Sequence, residues 1–215
     1  MQSLEHAVEM AGRVYGAGAP GLFLIDHKTA TWHDPSYLGE SVQHVRSAFP
    51  GNWVGVNCLA MRPYDAFQFA SELSVNGVWA DDAVGDIHRT VQRGDWVSYF
   101  GGITMKGVGY VEEPDAAAAV VLDHCDAVDV VVTSGPGTGQ ATTAERLRII
   151  REAIGDRLLA VASGVNEANV SAQSRFVDYV LVASSIERVP MRGDIDVKKL
   201  GRLVELFQND QKYSS

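Results

Sequence analysis

The sequence predicts an α/β fold of the TIM type, a (β/α) barrel in which about seven strands are recognisable. Short apolar runs rich in β-branched residues recur about every 20–30 residues, the pattern of strands buried on both faces. A helical pattern follows each run, and this alternation indicates a parallel sheet wrapped by helices. Polar residues end almost every strand. A doubly wound sheet is the competing architecture, but it gathers its functional residues at one switch point, so the barrel is favoured.

Each predicted element has its own local signal. Apolar runs predict the strands Leu22–Ile25, Trp53–Asn57, Gly77–Ala80, Trp96–Thr104, Asp129–Thr133, Leu158–Ala162 and Tyr179–Ala183. Helical spacing, caps and prolines predict helices over Leu4–Tyr15 after the cap Ser3, Leu38–Phe49, Pro63–Leu73, Ile87–Gln92 and Pro114–Leu122. A further helix is predicted to begin at the capping box Thr142–Glu145 and to end at Ile154. The last two are a helix capped by Asn166 and a helix from its cap Asp196 to Phe207. Residues 1–207 are therefore expected to form one domain, and residues 208–215 a flexible tail.

The strand count is one short of a closed barrel. A (β/α)₈ barrel needs eight strands, and this sequence opens with a helix where the first strand should already have ended. Either the first strand is missing and the barrel is open, or another element fills the gap. Because an open seam exposes strand edges, the chain is expected to form a homo-oligomer or to cover the seam with its N-terminal helix.

Composition excludes several classes of function. A net charge of −9 and a pI near 5.1 argue against binding to a nucleic-acid duplex, which needs a basic surface. Cys58 and Cys125 are too few for a disulfide framework and are interpreted as core residues of a protein in a reducing compartment. The sequence shows neither a signal-peptide pattern nor an apolar run of about 18 residues, so a cytoplasmic protein without a membrane span is expected.

The candidate active site is the set of polar residues at the carboxyl ends of the strands, where barrels of this kind place their chemistry. Carboxylates facing a lysine inside one rim would take separate acid and base roles, and two adjacent carboxylates repel unless something holds them. The predicted catalytic residues are Asp26, Asp81, Asp82 and Lys106. The predicted substrate-binding residues are Asn57, Thr104, Thr133 and Ser134.

A phosphate site is predicted in the loops that follow the last two strands. Backbone N–H groups of such loops, with helix N-termini behind them, bind phosphate in many barrels. The predicted phosphate-binding residues are Ser163, Gly164, Val165, Ser184 and Ser185. Helix capping and ordinary loop geometry are the alternative interpretation for each of these hydroxyls.

Other motifs carry less chemistry. The glycine-rich segment Gly135–Gly139 lacks the Gly-Lys-Ser/Thr of a P-loop and the full spacing of a dinucleotide fingerprint, so no cofactor is predicted. His27, His33 and Asp34 lie close in sequence and could hold a divalent metal, although a solvated loop is the more common case. Trp53, Trp79 and Trp96 lie in or beside strands and are interpreted as core residues.

The chain resembles the BtpA/SgcQ family of TIM-barrel proteins from about Gly21 to Phe207. The resemblance is carried by Val54–Asn57, Asp129–Gly135 with Thr138-Gly139, Ser163–Val165 with Asn169, and Asp178–Val182 followed by Gly193–Asp196. It implies a TIM barrel related to phosphate-binding barrels. Lys106 matches a family lysine that is usually followed by histidine, whereas Gly107 follows it here. Ser184-Ser185 stands where the family has Gly-Ser, and the family's first strand and proline-rich loop are absent.

Two functions follow from these observations. The first is an enzyme that acts on a small phosphorylated sugar or nucleotide-like substrate at the rim, with glycosyl-bond cleavage as the preferred chemistry. Lys106 would stabilise developing negative charge or form a Schiff base. The second is a non-catalytic assembly or regulatory protein that uses the barrel as a binding scaffold, because a fold alone does not specify function.

Overall fold

Seven parallel strands form an open half-barrel. The computed structural model describes residues 3–25, 36–59, 61–84, 97–189 and 193–212. The strands are β1 (Gly21–Ile25), β2 (Trp53–Asn57), β3 (Gly77–Ala80), β4 (Ser98–Gly102), β5 (Val130–Ser134), β6 (Leu158–Ala162) and β7 (Tyr179–Leu181). They pair in sequential order, every neighbour parallel, without the reversal that marks a doubly wound sheet. Within the described residues β1 and β7 do not pair with each other, so the predicted open barrel is confirmed.

The helices begin largely where the sequence predicts. They are α1 (Leu4–Gly16), α2 (Ser36–Ala48), α3 (Pro63–Leu73), α4 (Pro114–His124), α5 (Ala144–Ile154), α6 (Val170–Gln173) and α7 (Val197–Lys212). The Ser3 hydroxyl caps α1, Pro63 and Pro114 occupy first turns, and Asp196 caps α7 by accepting from the N–H groups that follow it. No helix in the described ranges is long and apolar enough to cross a membrane. The predicted helix Ile87–Gln92 and Trp96 lie outside the described residues.

Three helix starts differ from the prediction, and the smallest difference is that α2 begins at Ser36 instead of Leu38. The cap of α5 is Thr143, whose hydroxyl accepts from the Arg146 N–H at 3.1 Å, so the proposed capping box beginning at Thr142 is wrong by one residue. Asn166 does not cap a helix directly. Its side chain accepts from the Ala168 N–H within a turn, and α6 begins only after Asn169, because these asparagines bond to their own loop.

The last helix extends beyond its predicted end. It was expected to stop at Phe207 with a flexible tail from residue 208, yet α7 runs to Lys212. The Gln211 side-chain amide donates to the carbonyl oxygens of Ser174 and Val177 at 2.8 and 2.9 Å, which fixes the final turns against the preceding 3₁₀ segment. A polar side chain that serves as an anchor carries no signal in a hydrophobic pattern. The assignment of residues 1–207 to a single domain stays a prediction.

Aromatic side chains fill the interior of the half-barrel. The Phe23 ring packs edge-on against Trp53, Trp79 and Phe100, with centroids 5.0–5.6 Å apart. Phe100 in turn contacts Tyr179 at 5.5 Å. Phe100 of the central strand therefore touches both edge strands, β1 through Phe23 and β7 through Tyr179. We call these five residues the aromatic cluster. The prediction that Trp53 and Trp79 pack in the core is confirmed.

Glycines on neighbouring strands make room for these rings. A Cβ at Gly55 would lie 2.5 Å from the Phe23 ring and 2.8 Å from the Trp53 ring. A Cβ at Gly77 would lie 2.5 Å from the Trp53 ring. These separations are far below van der Waals contact, so both glycines are required by close approach of an aromatic neighbour.

The N-terminal helix covers the seam on the outer side. Arg13 of α1 donates to the Asp194 carboxylate at 2.8 Å and to the Ile195 carbonyl at 3.2 Å, just before α7. α1 also packs on α2 and on α7, so the helix layer continues across the gap between β7 and β1. All five β1 residues nevertheless stay partly exposed. Coverage of the seam by the N-terminal helix, one of the two predicted outcomes, is confirmed, and the homo-oligomer stays a prediction.

Replacing Gly55 with alanine tests the packing of the aromatic cluster. The added methyl group meets two rings, and overpacking of this kind lowers the free energy of unfolding by about 1–3 kcal/mol. Gly16→Ala is the control, because a Cβ there meets no atom within 4 Å; in the helix it is neutral or stabilising by up to about 1 kcal/mol. Urea unfolding of both variants measures the difference, and equal stabilities would contradict the packing described.

Candidate functional site

A tight turn after β4 carries Lys106. The Val108 N–H donates to the Met105 carbonyl at 3.1 Å, and Gly107, the third residue of this turn, has a φ of +77°. A type II turn requires such a residue, and glycine adopts it without strain. Thr104, two residues before Lys106, has a φ of +54°, which is unusual for a β-branched residue. The turn holds the partly exposed Lys106 at its tip.

The Ser163 hydroxyl joins Lys106 to the glycine-rich loop after β5. It accepts from the Lys106 Nζ at 3.4 Å and from the Gly139 N–H at 3.1 Å, and it donates to the Gly137 carbonyl at 3.0 Å. One donor and two acceptor positions are all that a serine hydroxyl offers. Ser163 also has a φ of +81°. Its side chain therefore acts inside the protein, fixing the amine and the loop.

Ser134, at the end of β5, is hydrogen-bonded to the same turn. Its hydroxyl accepts from the Lys106 N–H and donates to the Gly135 carbonyl, both at 2.8 Å. Ser134 is fully buried, on the face of β5 that also carries Val130 and Val132 of the barrel interior. The predicted substrate-binding role of Ser134 stays a prediction, and its position is that of a support for the Lys106 backbone.

Thr133 lies on the helix side of the sheet, and its predicted substrate-binding role stays a prediction. Side chains alternate along a strand, so Thr133 shares a face with Val131, which belongs to the helix-side core. Its hydroxyl lies 3.3 Å from the Thr104 hydroxyl, and both residues are buried. The two threonines therefore form a polar layer between the sheet and the helices, behind the rim.

Arg146 completes this layer, and the sequence analysis did not identify it. Its guanidinium donates to the Thr104 hydroxyl at 3.1 Å and to the carbonyl oxygens of Val111 and Glu112, and it lies 4.9 Å from the Tyr110 ring centroid. Arg146 is 2% exposed, and this burial lowers its pKa from the usual value. Arg146, Ile150 and Ile154 are four residues apart, so the sequence places Arg146 on the buried face of α5. This spacing could have identified it.

A second polar group lies at the ends of β2 and β3. The Asn57 amide donates to an Asp81 carboxylate oxygen at 3.3 Å. Asn57 is 1% exposed, and its amide oxygen has no hydrogen-bond partner among the described residues. The same is true of the buried indole nitrogen of Trp79, its cross-strand neighbour. Gly102 allows this geometry, since a Cβ there would lie 2.0 Å from the Asp81 carbonyl oxygen.

The adjacent carboxylates Asp81 and Asp82 have different surroundings. Asp82 accepts from the Val84 N–H at 3.1 Å, the short-range bond of a turn in which an aspartate caps its own loop. Asp81 instead accepts from Asn57 on the neighbouring strand. Asp81 is thus oriented across the strand ends, which is the better geometry for a reacting group.

The loops after β5 and β6 are packed tightly together. A Cβ at Gly164 would lie 2.2 Å from the Ala141 nitrogen, and one at Gly135 would lie 2.2 Å from the Gln140 carbonyl oxygen. Gly164 also has a φ of +71°. The Asn169 amide then holds the Gly164 carbonyl at 2.9 Å. These close contacts explain why no larger residue fits at Gly135 or Gly164.

The remaining predicted residues divide into two groups. Ser184 and Ser185 lie in a turn closed by the Ile186 N–H and the Ala183 carbonyl at 3.0 Å. None of the hydrogen bonds described for this part of the chain joins them to Lys106 or Ser163. Asp26 and the suggested metal ligands His27, His33 and Asp34 lie outside the described residues.

Neither the cysteines nor the described acidic residues mark a further centre. Cys58 and Cys125 are buried and free, and burial raises the pKa of the Cys58 thiol to about 12, so it is not a nucleophile at neutral pH. Over the ranges that the structure describes, no group of three His, Cys, Asp or Glu side chains is placed to hold a metal ion.

The fold and the position of these polar groups define the class of protein, a TIM-type barrel with its candidate site at the carboxyl ends of the strands. The chain belongs to the BtpA family, whose profile matches residues 52–209. The resemblance seen in the sequence is thereby confirmed. The comparison with curated proteins gave no match.

Several solved structures share the fold. Phosphoribosyl anthranilate isomerase from Thermotoga maritima superposes with a TM-score of 0.69 at 16% identity, covering 94% of each chain. A native KDPGal structure gives 0.72 at 11% identity, covering 98% of this chain and 92% of the other. Thiamine phosphate pyrophosphorylase from Pyrococcus furiosus gives 0.66 at 15% identity, covering 94% and 90% respectively. Identities this low show the TIM-barrel fold alone.

Two substitutions of Ser163 separate its hydrogen bonds from its backbone strain. Ser163→Ala removes the hydroxyl but keeps a side chain at positive φ, so the free energy of unfolding should fall by about 1–3 kcal/mol. Ser163→Gly loses the same bonds but relieves the strain, so it should be more stable than the alanine variant by about 1 kcal/mol. Urea unfolding gives both values. Two variants of equal stability would show that the backbone is not strained here.

Proposed function

We propose that this protein is an enzyme that binds a small phosphorylated sugar or nucleotide-like molecule at the carboxyl rim of the barrel and cleaves a glycosyl bond. The observation that carries the proposal is the arrangement of Lys106. Its amine is held by Ser163 beside the glycine-rich loops after β5 and β6. A fixed cation at the rim of a TIM-type barrel is suited to an anionic substrate.

The electrostatics of the rim support an anion. No carboxylate lies within 4 Å of the Lys106 amine in the described part of the chain, although the protein carries a net charge of −9. The backbone N–H groups of Gly164 and Val165 also have no hydrogen-bond partner among the described residues. A phosphate offers oxygens for both the amine and these N–H groups. Since the Ser163 hydroxyl is already occupied, we assign it a positioning role.

The reacting groups would be Asp81 and Lys106. Asp81, oriented by Asn57, would donate a proton to the departing glycosidic oxygen, accept one from the water that attacks the sugar carbon, or stabilise an oxocarbenium-like centre. Lys106 would hold the phosphate and offset developing negative charge. Asp82 caps its own turn, and its negative charge next to Asp81 would help to stabilise the oxocarbenium-like centre. Asp26, Ser184 and Ser185 keep their predicted roles in this proposal, and Thr104, Thr133 and Ser134 support the rim from below.

The structural neighbours support the ligand class. Two of them carry a phosphoribosyl or phosphate group in their names, phosphoribosyl anthranilate isomerase and thiamine phosphate pyrophosphorylase. Loops after the late strands of such barrels frequently bind phosphate. The likeness extends over 94% of this chain in both cases.

A thermal-shift screen against inorganic phosphate, sugar phosphates and nucleotides tests the binding site. One phosphorylated class should raise the unfolding temperature, and Lys106→Ala should abolish that rise, since the amine supplies the charge. Lys198→Ala is the matched control, because Lys198 is exposed on α7 and should leave the rise unchanged. No response of the unmodified protein to any class, or an equal loss in both variants, would overturn the proposal.

Catalysis is tested separately from binding. Asp81→Asn keeps the size of the side chain and its contact with Asn57 but removes the carboxylate. For a phosphorylated glycoside that binds, this variant should retain affinity within about threefold and lose about 100-fold or more in the rate of release of the free sugar. Chromatographic detection of the products gives the rate. A ligand that binds but is not cleaved even by the unmodified protein would refute glycosyl-bond cleavage.

A second candidate function rests on the edges of the sheet. β1 and β7 have each one strand neighbour among the described residues, and β1 is partly exposed along its whole length. Such edges can pair with another chain. A non-catalytic protein that uses the barrel as a scaffold, or a homo-oligomer formed across the seam, would use these edges.

Light scattering over a range of protein concentrations tests the homo-oligomer. We expect a dimer that Phe23→Ser weakens by loosening β1 from the aromatic cluster, while an unchanged circular-dichroism spectrum shows that the variant is still folded. Leu122→Ser, at an exposed position of α4 far in sequence from both edges, is the control. A monomer at every concentration removes the oligomer from consideration.

A further inference from the structure

Arg146 is a buried cation that does not contact the proposed anion site directly. Arg146 lies on the inner face of α5, and no carboxylate lies within 4 Å of it in the ranges that the structure describes. A buried cation is costly unless its donors are satisfied. The two terminal nitrogens of Arg146 donate instead to neutral oxygens, those of Thr104, Val111 and Glu112. Its buried Nε has no hydrogen-bond partner among the described residues.

These oxygens belong to the two ends of one segment, the β4–α4 loop (residues 103–113). Thr104 opens the loop, and Val111 and Glu112 close it just before Pro114 begins α4. The Tyr110 ring lies over the guanidinium from the same segment. Arg146 therefore fastens both ends of the loop to α5 with a single rigid, forked side chain.

Lys106 lies between these two ends. Apart from its bond to Ser163, the turn at Lys106 is fixed by the Ser134 hydroxyl and by the Met105–Val108 bridge. Gly107 and Gly109 both have positive φ, and glycines leave a loop free to adopt other conformations when its ends are released. A loop of this composition needs its ends held if the amine is to stay in one place.

We propose that Arg146 positions Lys106 for anion binding by clamping the β4–α4 loop at both ends. Arg146 is a positioning residue, since at 2% exposure it cannot touch the ligand. The strained backbone at Thr104 is maintained by the same contact, because the hydroxyl that Arg146 holds belongs to the residue with positive φ. The inference rests on the proposed function for its ligand, a phosphate-bearing molecule.

The test compares three variants of α5 with inorganic phosphate as the probe. Arg146→Met keeps the length of the side chain but removes all its donors, and phosphate affinity should fall about tenfold. Arg146→Lys keeps the positive charge but loses the planar guanidinium that bonds both ends of the loop. Its phosphate affinity should fall nearly as far as that of Arg146→Met, because the clamp depends on hydrogen-bond geometry and not on charge. Arg148→Met is the matched control: Arg148 lies two residues further on, partly exposed and paired with Glu145 and Glu152, and should change affinity less than twofold. Calorimetry gives the three values.

A second readout observes Lys106 directly. Reductive methylation with ¹³C-formaldehyde labels the five lysines, and Lys106→Arg identifies the Lys106 signal by its loss. In the unmodified protein this signal should be shifted from those of freely rotating lysines, and in Arg146→Met it should move to their position while Arg148→Met leaves it in place. If Arg146→Met does not fold, Thr104→Val, which deletes one of the clamped oxygens, is measured instead, and its Lys106 signal should move partway.

The outcomes separate the two proposals. If the unmodified protein does not bind phosphate, the proposed function fails, and the Lys106 signal alone decides whether Arg146 positions the amine. If Arg146→Lys keeps full affinity and an unmoved signal, the buried charge rather than the forked clamp is responsible, and the inference is overturned. An unchanged Lys106 signal in a folded Arg146→Met or Thr104→Val variant overturns it as well.

Discussion

Edge-to-face packing of aromatic rings inside the sheet is the interaction on which this fold depends. A parallel barrel normally closes on itself, and its interior is filled by layers of aliphatic side chains from every strand. Over the part of the chain that the structure describes, β1 and β7 do not pair, and Phe100 on the central strand instead contacts Phe23 on one edge and Tyr179 on the other. Rings are large enough to reach across a half-barrel, and each such pair adds about 0.5–1.5 kcal/mol beyond its buried area.

The candidate site is organised by polar side chains whose hydrogen bonds go mostly to the protein itself. Ser134 and Ser163 use their hydroxyl groups on loop backbone and on Lys106, and Arg146 uses its guanidinium on the β4–α4 loop. The groups proposed to contact a ligand are therefore few, chiefly the Lys106 amine and the Asp81 carboxylate that Asn57 orients. A site in which supporting residues outnumber the contacting ones is typical of preorganised binding, because fixed geometry lowers the entropic cost of association.

Much of the fold could be predicted from the sequence, and the site only in part. Strand and helix positions follow from periodicities of hydrophobic residues, and Pro63, Pro114 and Asp196 mark helix starts by local chemistry. The face on which Thr133 lies follows from strand alternation and was predictable, whereas the partners of Arg146 and Gln211 depend on loops distant in sequence. Ser163 illustrates the limit: its type and place at a strand end were recognised, but its positive φ and its threefold hydrogen bonding appear only in three dimensions.

The open seam divides the sheet into regions of unequal local stability. β4, β5 and β6 each have a strand neighbour on both sides, and β5 is buried along its whole length, whereas β1 has one strand neighbour and is partly exposed throughout. Backbone amides near the seam should therefore exchange with solvent through local openings that leave the centre of the sheet intact. Lys106 and Ser163 follow β4 and β6, so the edge strands can open locally while the candidate anion site keeps its geometry. An incomplete barrel in this way combines a seam of low local stability with a centre of high local stability.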